Sequence, residues 1–206
     1  MEILKKHLLA LVFTGISFIG FAQNETSIQK AFTDSYSLEY QKKYADAILP
    51  LITCYKENNY EINLRLGWLY YLNKNNSQSQ AYYQKSIDLK PYSIEAKFGI
   101  IKPYSAIENW EKVLAQYNDI LKIDPQNYTA NYWVGVIYYN QKKYEVANKY
   151  FEKMVNLYPF DFDANHMFAW SCLNNGRAND AKTLFQKALL IKPGNISCME
   201  GLSKIK

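Results

Sequence analysis

Histidine, cysteine and glycine are all scarce in this 206-residue chain, and each shortage removes a class of chemistry. Of two histidines, only His166 lies beyond the N-terminal apolar segment. A single imidazole makes most triad and metal mechanisms hard to assemble. The nearest constellation is Asp161, Asp163 and His166. Asp163 and His166 are three apart and can share a helix face. The simpler reading has Asp163 capping a helix that begins at Ala164, with Asp161 in the turn after Pro159. No metal, no cofactor and no catalytic residue is therefore expected, and the chain is read as a non-enzyme. The three cysteines, Cys54, Cys172 and Cys198, are an odd number and have no metal-ligand spacing. The eight glycines are isolated, so no phosphate-cradling loop is present. Charge of one sign is also lacking, since the net value is only +5. The pairs Lys42-Lys43 and Lys142-Lys143 read as solvated turns, not as a nucleic-acid platform.

A long apolar run is missing too. Leu8–Phe21 is the longest, short of the roughly 20 residues that a membrane span needs. With Glu2, Lys5 and Lys6 before it and Gly20-Phe21-Ala22 after it, residues 1–22 read as a secretory signal peptide cleaved after Ala22. An uncleaved anchor is the alternative. Cleavage removes +1 from +5 and leaves about +4 on residues 23–206. The expected location is periplasmic or extracellular, with no membrane span after cleavage.

Proline is rare, with six in all, yet four stand 34 residues apart: Pro91, Pro125, Pro159 and Pro193. A fixed period of this length marks a stack of helical hairpins. Twelve residues before each proline stands Ser79, Val113, Ala147 or Ala181. Eight before comes an aromatic: Tyr83, Tyr117, Phe151, Phe185. Two before comes Leu89, Ile123, Leu157 or Ile191. Earlier in each period lie Leu66-Gly67, Ile100-Ile101, Val134-Gly135 and Phe168-Ala169, then Tyr70, Tyr104, Tyr138 and Cys172. Small columns let helices approach closely, aromatics fill the gaps, and proline ends the second helix.

This pattern resembles the tetratricopeptide repeat family over four copies, 60–93, 94–127, 128–161 and 162–195. The third and fourth copies match best. Copy 94–127 departs, with Ile101 in a small-residue column and Pro103 inside a first helix that is expected to kink or end early. A weaker copy over 27–59 is signalled by Lys42-Lys43-Tyr44-Ala45-Asp46-Ala47, parallel to Lys142-Lys143-Tyr144-Glu145-Val146-Ala147. Residues 196–206 read as a capping helix with a polar outer face. The expected fold is an all-α, right-handed superhelical solenoid of about five hairpins. Cys172 and Cys198 would then sit on parallel helices offset by roughly 12 Å, too far for a disulfide. All three thiols are expected to be buried and reduced.

The resemblance implies that first helices line a concave groove. Helical spacing puts Glu61, Leu64, Trp68 and Tyr71 on its inward stripe, then Glu95, Phe98, Lys102 and Ser105. Thr129, Tyr132, Val136 and Tyr139 follow, then Asp163, His166, Trp170 and Leu173, with Phe32 and Tyr36 from the weak copy. The lysine-asparagine clamp that one subclass uses for a peptide carboxylate is missing. The expected partner is a protein or peptide, an apolar or aromatic segment or a helix, and not nucleic acid. Tyr132 and Tyr139 are expected to be exposed anchors, Phe98 to pack, and Trp68 and Trp170 are left open between the two. The alternative function is a permanent structural subunit of an envelope assembly.

Overall fold

Asparagine starts five of the helices. In the computed structural model, which describes residues 27–205, the side chains of Asn59, Asn75, Asn109, Asn127 and Asn195 each accept from the amide three residues on. Ser93 and Asp161 do the same. These contacts satisfy amides that have no partner within the helix. Eleven helices and no strand occur among the described residues. They are α1 (27–40), α2 (Tyr44–Thr53), α3 (Tyr60–Leu72), α4 (Asn76–Leu89), α5 (Ile94–Ala106) and α6 (Trp110–Ile123). Then follow α7 (Tyr128–Asn140), α8 (Tyr144–Leu157), α9 (Phe162–Asn174), α10 (Ala178–Ile191) and α11 (Ile196–Ser203). The first helices α3, α5, α7 and α9 thus begin 34 residues apart. None of the eleven is long and apolar enough to cross a membrane.

Each first helix ends on one residue in the left-handed region: Lys42, Lys74, Glu108, Lys142 and Gly176, with φ of 60°, 61°, 57°, 60° and 76°. The amide of Lys142 bonds to Tyr139 O and that of Lys143 to Tyr138 O, both at 2.9 Å. This paired closure recurs at all five turns and satisfies the last carbonyls of the helix. Only the last turn has glycine, the residue that takes this conformation without strain.

The chain divides into two compact units at Pro91/Tyr92. The first contains α1–α4 around Ala47, Leu51, Ile62, Leu66 and Leu69. The second contains α5–α11, with Phe151, Met154, Ala164, Ala169, Phe185 and Ala188 fully or almost fully buried. In both units, glycine lets a ring reach the helix backbone. A Cβ on Gly67 would lie 2.7 Å from the Tyr83 ring, and one on Gly135 would lie 2.6 Å from the Phe151 ring. Ile101 occupies the same column in the α5/α6 hairpin, where Tyr117 turns edge-on to Phe98 at 6.3 Å.

Pro103 does not shorten its helix. α5 has 13 residues, as α3, α7 and α9 do, and runs on to Ala106. All three cysteines are free thiols. Cys172 and Cys198 are buried, but Cys54 is only half-buried, because it follows the last turn of α2 instead of lying within a packed face.

Candidate functional site

The first-helix stripe is half-buried: Leu64, Trp68, Tyr71, Phe98, Tyr132, Val136, Tyr139, His166 and Trp170 all keep part of their surface, and Lys102 is exposed. The exposure expected for Tyr132 and Tyr139 is thereby corrected. Both pack against the core of the second unit, together with Val136 and Trp170. Helical spacing assigned these residues to a face, but the next first helix also lies along that face.

Each side chain serves this seam differently. The phenol of Tyr139 accepts from Asn174 Nδ2 on α9 at 2.9 Å, and its ring is edge-on to Tyr144 at 5.4 Å. Tyr132 stands edge-on to Trp133 at 5.3 Å. Tyr128 donates from its hydroxyl to Asp161 Oδ1 at 2.8 Å, and burial together with this carboxylate raises its pKa. Trp170 Nε1 donates to Ser197 Oγ on α11 at 3.0 Å and to His166 Nε2 at 3.1 Å. Nε2 of His166 also lies 2.8 Å from Ser197 Oγ, so the indole N–H is shared between the hydroxyl and this nitrogen, which accepts when the imidazole is neutral and protonated on Nδ1. Burial lowers the imidazole pKa, Lys192 adds to this and Asp163 opposes it. The ring stacks on Phe162 at 5.2 Å.

In the first unit, Trp68 donates to Glu39 Oε1 on α1 at 2.6 Å and lies 5.8 Å from Tyr71. Glu39 also pairs with Arg65, which is 7% exposed and sits 3.8 Å from the centre of the Tyr36 ring. Phe98 packs edge-on against Tyr117 on the second helix of its own hairpin at 6.3 Å, a contact that its place on the inward stripe did not imply.

The Asp161/Asp163/His166 constellation does not converge. Asp161, not Asp163, caps α9, whose first residue is Phe162. Its carboxylate accepts from Ala164 N at 2.8 Å, and Asp163 is an exposed first-turn acid. His166 is occupied by Trp170 and Ser197, so the three residues have separate structural roles.

A buried asparagine column escaped the sequence reading. Asn63, Asn131 and Asn165 are fully buried. The side-chain amide of Asn131 donates to Asn127 O at 2.8 Å and Pro125 O at 3.1 Å, and that of Asn165 to Asp161 O at 2.6 Å and Pro159 O at 3.1 Å. Asn63 makes the equivalent pair with Asn59 O and Glu57 O. The turn entering each of these hairpins is thus pinned to the helix that follows. The 34-residue recurrence was the available signal, interrupted at Lys97.

Comparison with known proteins agrees with this architecture. Sequence profiles described as Tetratricopeptide repeat match residues 60–93, 128–161 and 162–195. A tetratricopeptide repeat protein from Parabacteroides merdae superposes with a TM-score of 0.74 at 18% identity, over 87% of this chain and 72% of that one. The MamA protein gives 0.69 at 18% identity, over 81% and 92%. YrrB, described as a TPR protein with an unusual peptide-binding site, gives 0.63 at 18%, over 71% and 76%. The RNA polymerase-associated protein CTR9 of Caenorhabditis elegans is 29% identical over 118 residues, which are 55% of this chain but only 10% of that protein. With its 34-residue helix register, its ring-on-glycine packing and these matches, the chain carries tetratricopeptide repeats on an all-α hairpin-repeat fold.

Proposed function

We propose that this protein is a non-enzymatic scaffold that docks a polypeptide segment on the first-helix stripe of its second unit. One observation carries the reading. The stripe is aromatic beyond what sealing the seam consumes: half-buried Tyr132, Tyr139 and Trp170 each keep part of their surface, and Trp133 beside them is 45% exposed. Exposed aromatic surface on a folded protein marks interaction sites, and such rings give large contact area at low entropy cost. The peptide-binding site named for YrrB, a structure of the same fold, is consistent with it.

The test is binding of the native partner to residues 23–206 and to two variants, Tyr132→Ala and Lys102→Glu. Truncating a true anchor costs about 2 kcal/mol, roughly thirtyfold in affinity. Wild-type binding by both variants, with folding intact, would move the site to the second-helix faces. The proposed setting is outside the cytoplasm. It rests on residues 1–22, which lie outside the described residues, and N-terminal sequencing of the mature protein beginning at Gln23 would establish it.

A further inference from the structure

The 34-residue register allows neighbouring hairpins to be compared position by position, and one junction is short of rings. The twelfth residue of the first helix is Tyr71, Ser105, Tyr139 and Leu173 in successive copies; the ninth is Trp68, Lys102, Val136 and Trp170. Between α7 and α9, Tyr139 and Trp170 are both present. Tyr139 covers Tyr144 and is held through its hydroxyl by Asn174.

Between α5 and α7 the equivalent places hold Ser105 and Val136, and nothing refills the volume. A cavity of about 610 Å³ opens there, lined among others by Ser105, Trp110, Val113, Tyr117, Trp133 and Val136. That size is typical of ligand pockets, as are apolar walls with a few polar groups. Trp110 is the counterpart of Tyr144. With no ring at position 105 to cover it, it is 52% exposed. Asn140, the counterpart of Asn174, also lines the cavity, so the amide that would hold a phenol is in place while the phenol is missing. None of the described residues lining the cavity is charged, so an anionic or cationic group would lose its hydration there without a counter-charge.

We propose that this cavity receives a tyrosine side chain from a partner polypeptide. The incoming ring takes the place that Tyr139 fills one hairpin later: it covers Trp110, and its hydroxyl accepts from Asn140. The proposal rests on the reading that the second unit binds a polypeptide, and it names the anchor.

The probes are a capped Ala-Ala-Tyr-Ala-Ala peptide, its phenylalanine counterpart and p-cresol. They are titrated into residues 23–206 while the indole N–H signals of Trp110 and Trp133 are followed by NMR. The tyrosine peptide is expected to shift both indoles saturably. The phenylalanine peptide should bind roughly threefold to tenfold more weakly, the loss of one neutral hydrogen bond. Ser105→Tyr should refill the cavity, abolish the shifts and shield Trp110 from quenchers. If that variant fails to fold, Asn140→Ala, at an exposed position, decides instead: it should erase the preference for tyrosine over phenylalanine. Silent indoles at millimolar peptide, or wild-type peptide binding by folded Ser105→Tyr, would overturn the proposal. So would equal affinity of both peptides for the wild-type chain, or saturable binding of p-cresol by a chain that does not bind the tyrosine peptide. Loss of the native partner with Tyr132→Ala but not with Ser105→Tyr would remove this proposal and leave the stripe reading standing.

Discussion

A side-chain amide can decide whether a helix-entry turn holds. Asn131 and Asn165 each tie two carbonyls of the preceding turn from a fully buried position. Truncation removes these side-chain donors; Asn127 O and Asp161 O keep the backbone amides of residues 131 and 165, and Pro125 O keeps Lys153 Nζ, so the tie between turn and helix is weakened at each site. Asn131→Ala or Asn165→Ala should therefore lose about 1–3 kcal/mol, read as a lower urea midpoint. The turns inside the hairpins offer the opposite result. Lys142 has φ of 60°, where a Cβ costs about 1–2 kcal/mol. Glycine removes that strain but gains about 0.5–1 kcal/mol of unfolded-state entropy. Lys142→Gly should raise stability by up to about 1 kcal/mol, while Lys142→Ala stays within about 0.5 kcal/mol. Thermal melts of the three proteins would rank them. His166 gives a pH signature. Its folded pKa is lowered, so its contribution is present above the unfolded value near 6.5 and is lost as pH falls through the folded value. Protonation puts an N–H opposite the Trp170 indole N–H and leaves Ser197 Oγ as the acceptor of that indole. The melting temperature should fall between pH 7.5 and 5, and His166→Gln should flatten that slope.

Helices in this chain meet through rings pressed on glycine. In Gly135→Ala two effects compete. Alanine is better by about 1 kcal/mol in a helix interior. Its Cβ, however, would lie 2.6 Å from the fully buried Phe151 ring, and such overpacking costs about 1–3 kcal/mol. A ring with no exposed side to move into makes the second effect win. The variant should lose about 1 kcal/mol in chemical denaturation. This column was legible in the sequence, because Gly67, Gly135 and their aromatic partners recur at one period. The seam between first helices was less legible. Spacing assigned Tyr139 and Trp170 to one face, but their bonds to Asn174 and Ser197 reach other helices. The same limit explains the misassigned cap: a shift of two residues in the start of α9 exchanges the roles of Asp161 and Asp163, and turn geometry sets that start.

At the scale of the whole chain, the described residues are helices and turns in two units with separate cores. Far-UV circular dichroism should show an almost purely helical spectrum, and a substantial strand signal would contradict the structure. Binding belongs to this scale as well. Half-burial of Tyr132 means that Tyr132→Ala should lose some stability along with affinity, so melting must be measured beside binding. Exposed Lys102 separates the two effects, since Lys102→Glu touches the stripe without opening the core.

The sequence by itself determined the all-α class, the hairpin period and the small and aromatic columns. Those features are periodic, and a repeat of 34 residues averages over local ambiguity. It also contained Ser105 and Val136 as breaks in their columns. Only the tertiary structure decided which stripe residues remain exposed, that His166 serves Trp170 and Ser197, and that the two small residues leave an open cavity. Exposure and cavities depend on what the neighbouring hairpin places opposite a side chain, and that distance is fixed by packing, which helical spacing within one segment does not encode.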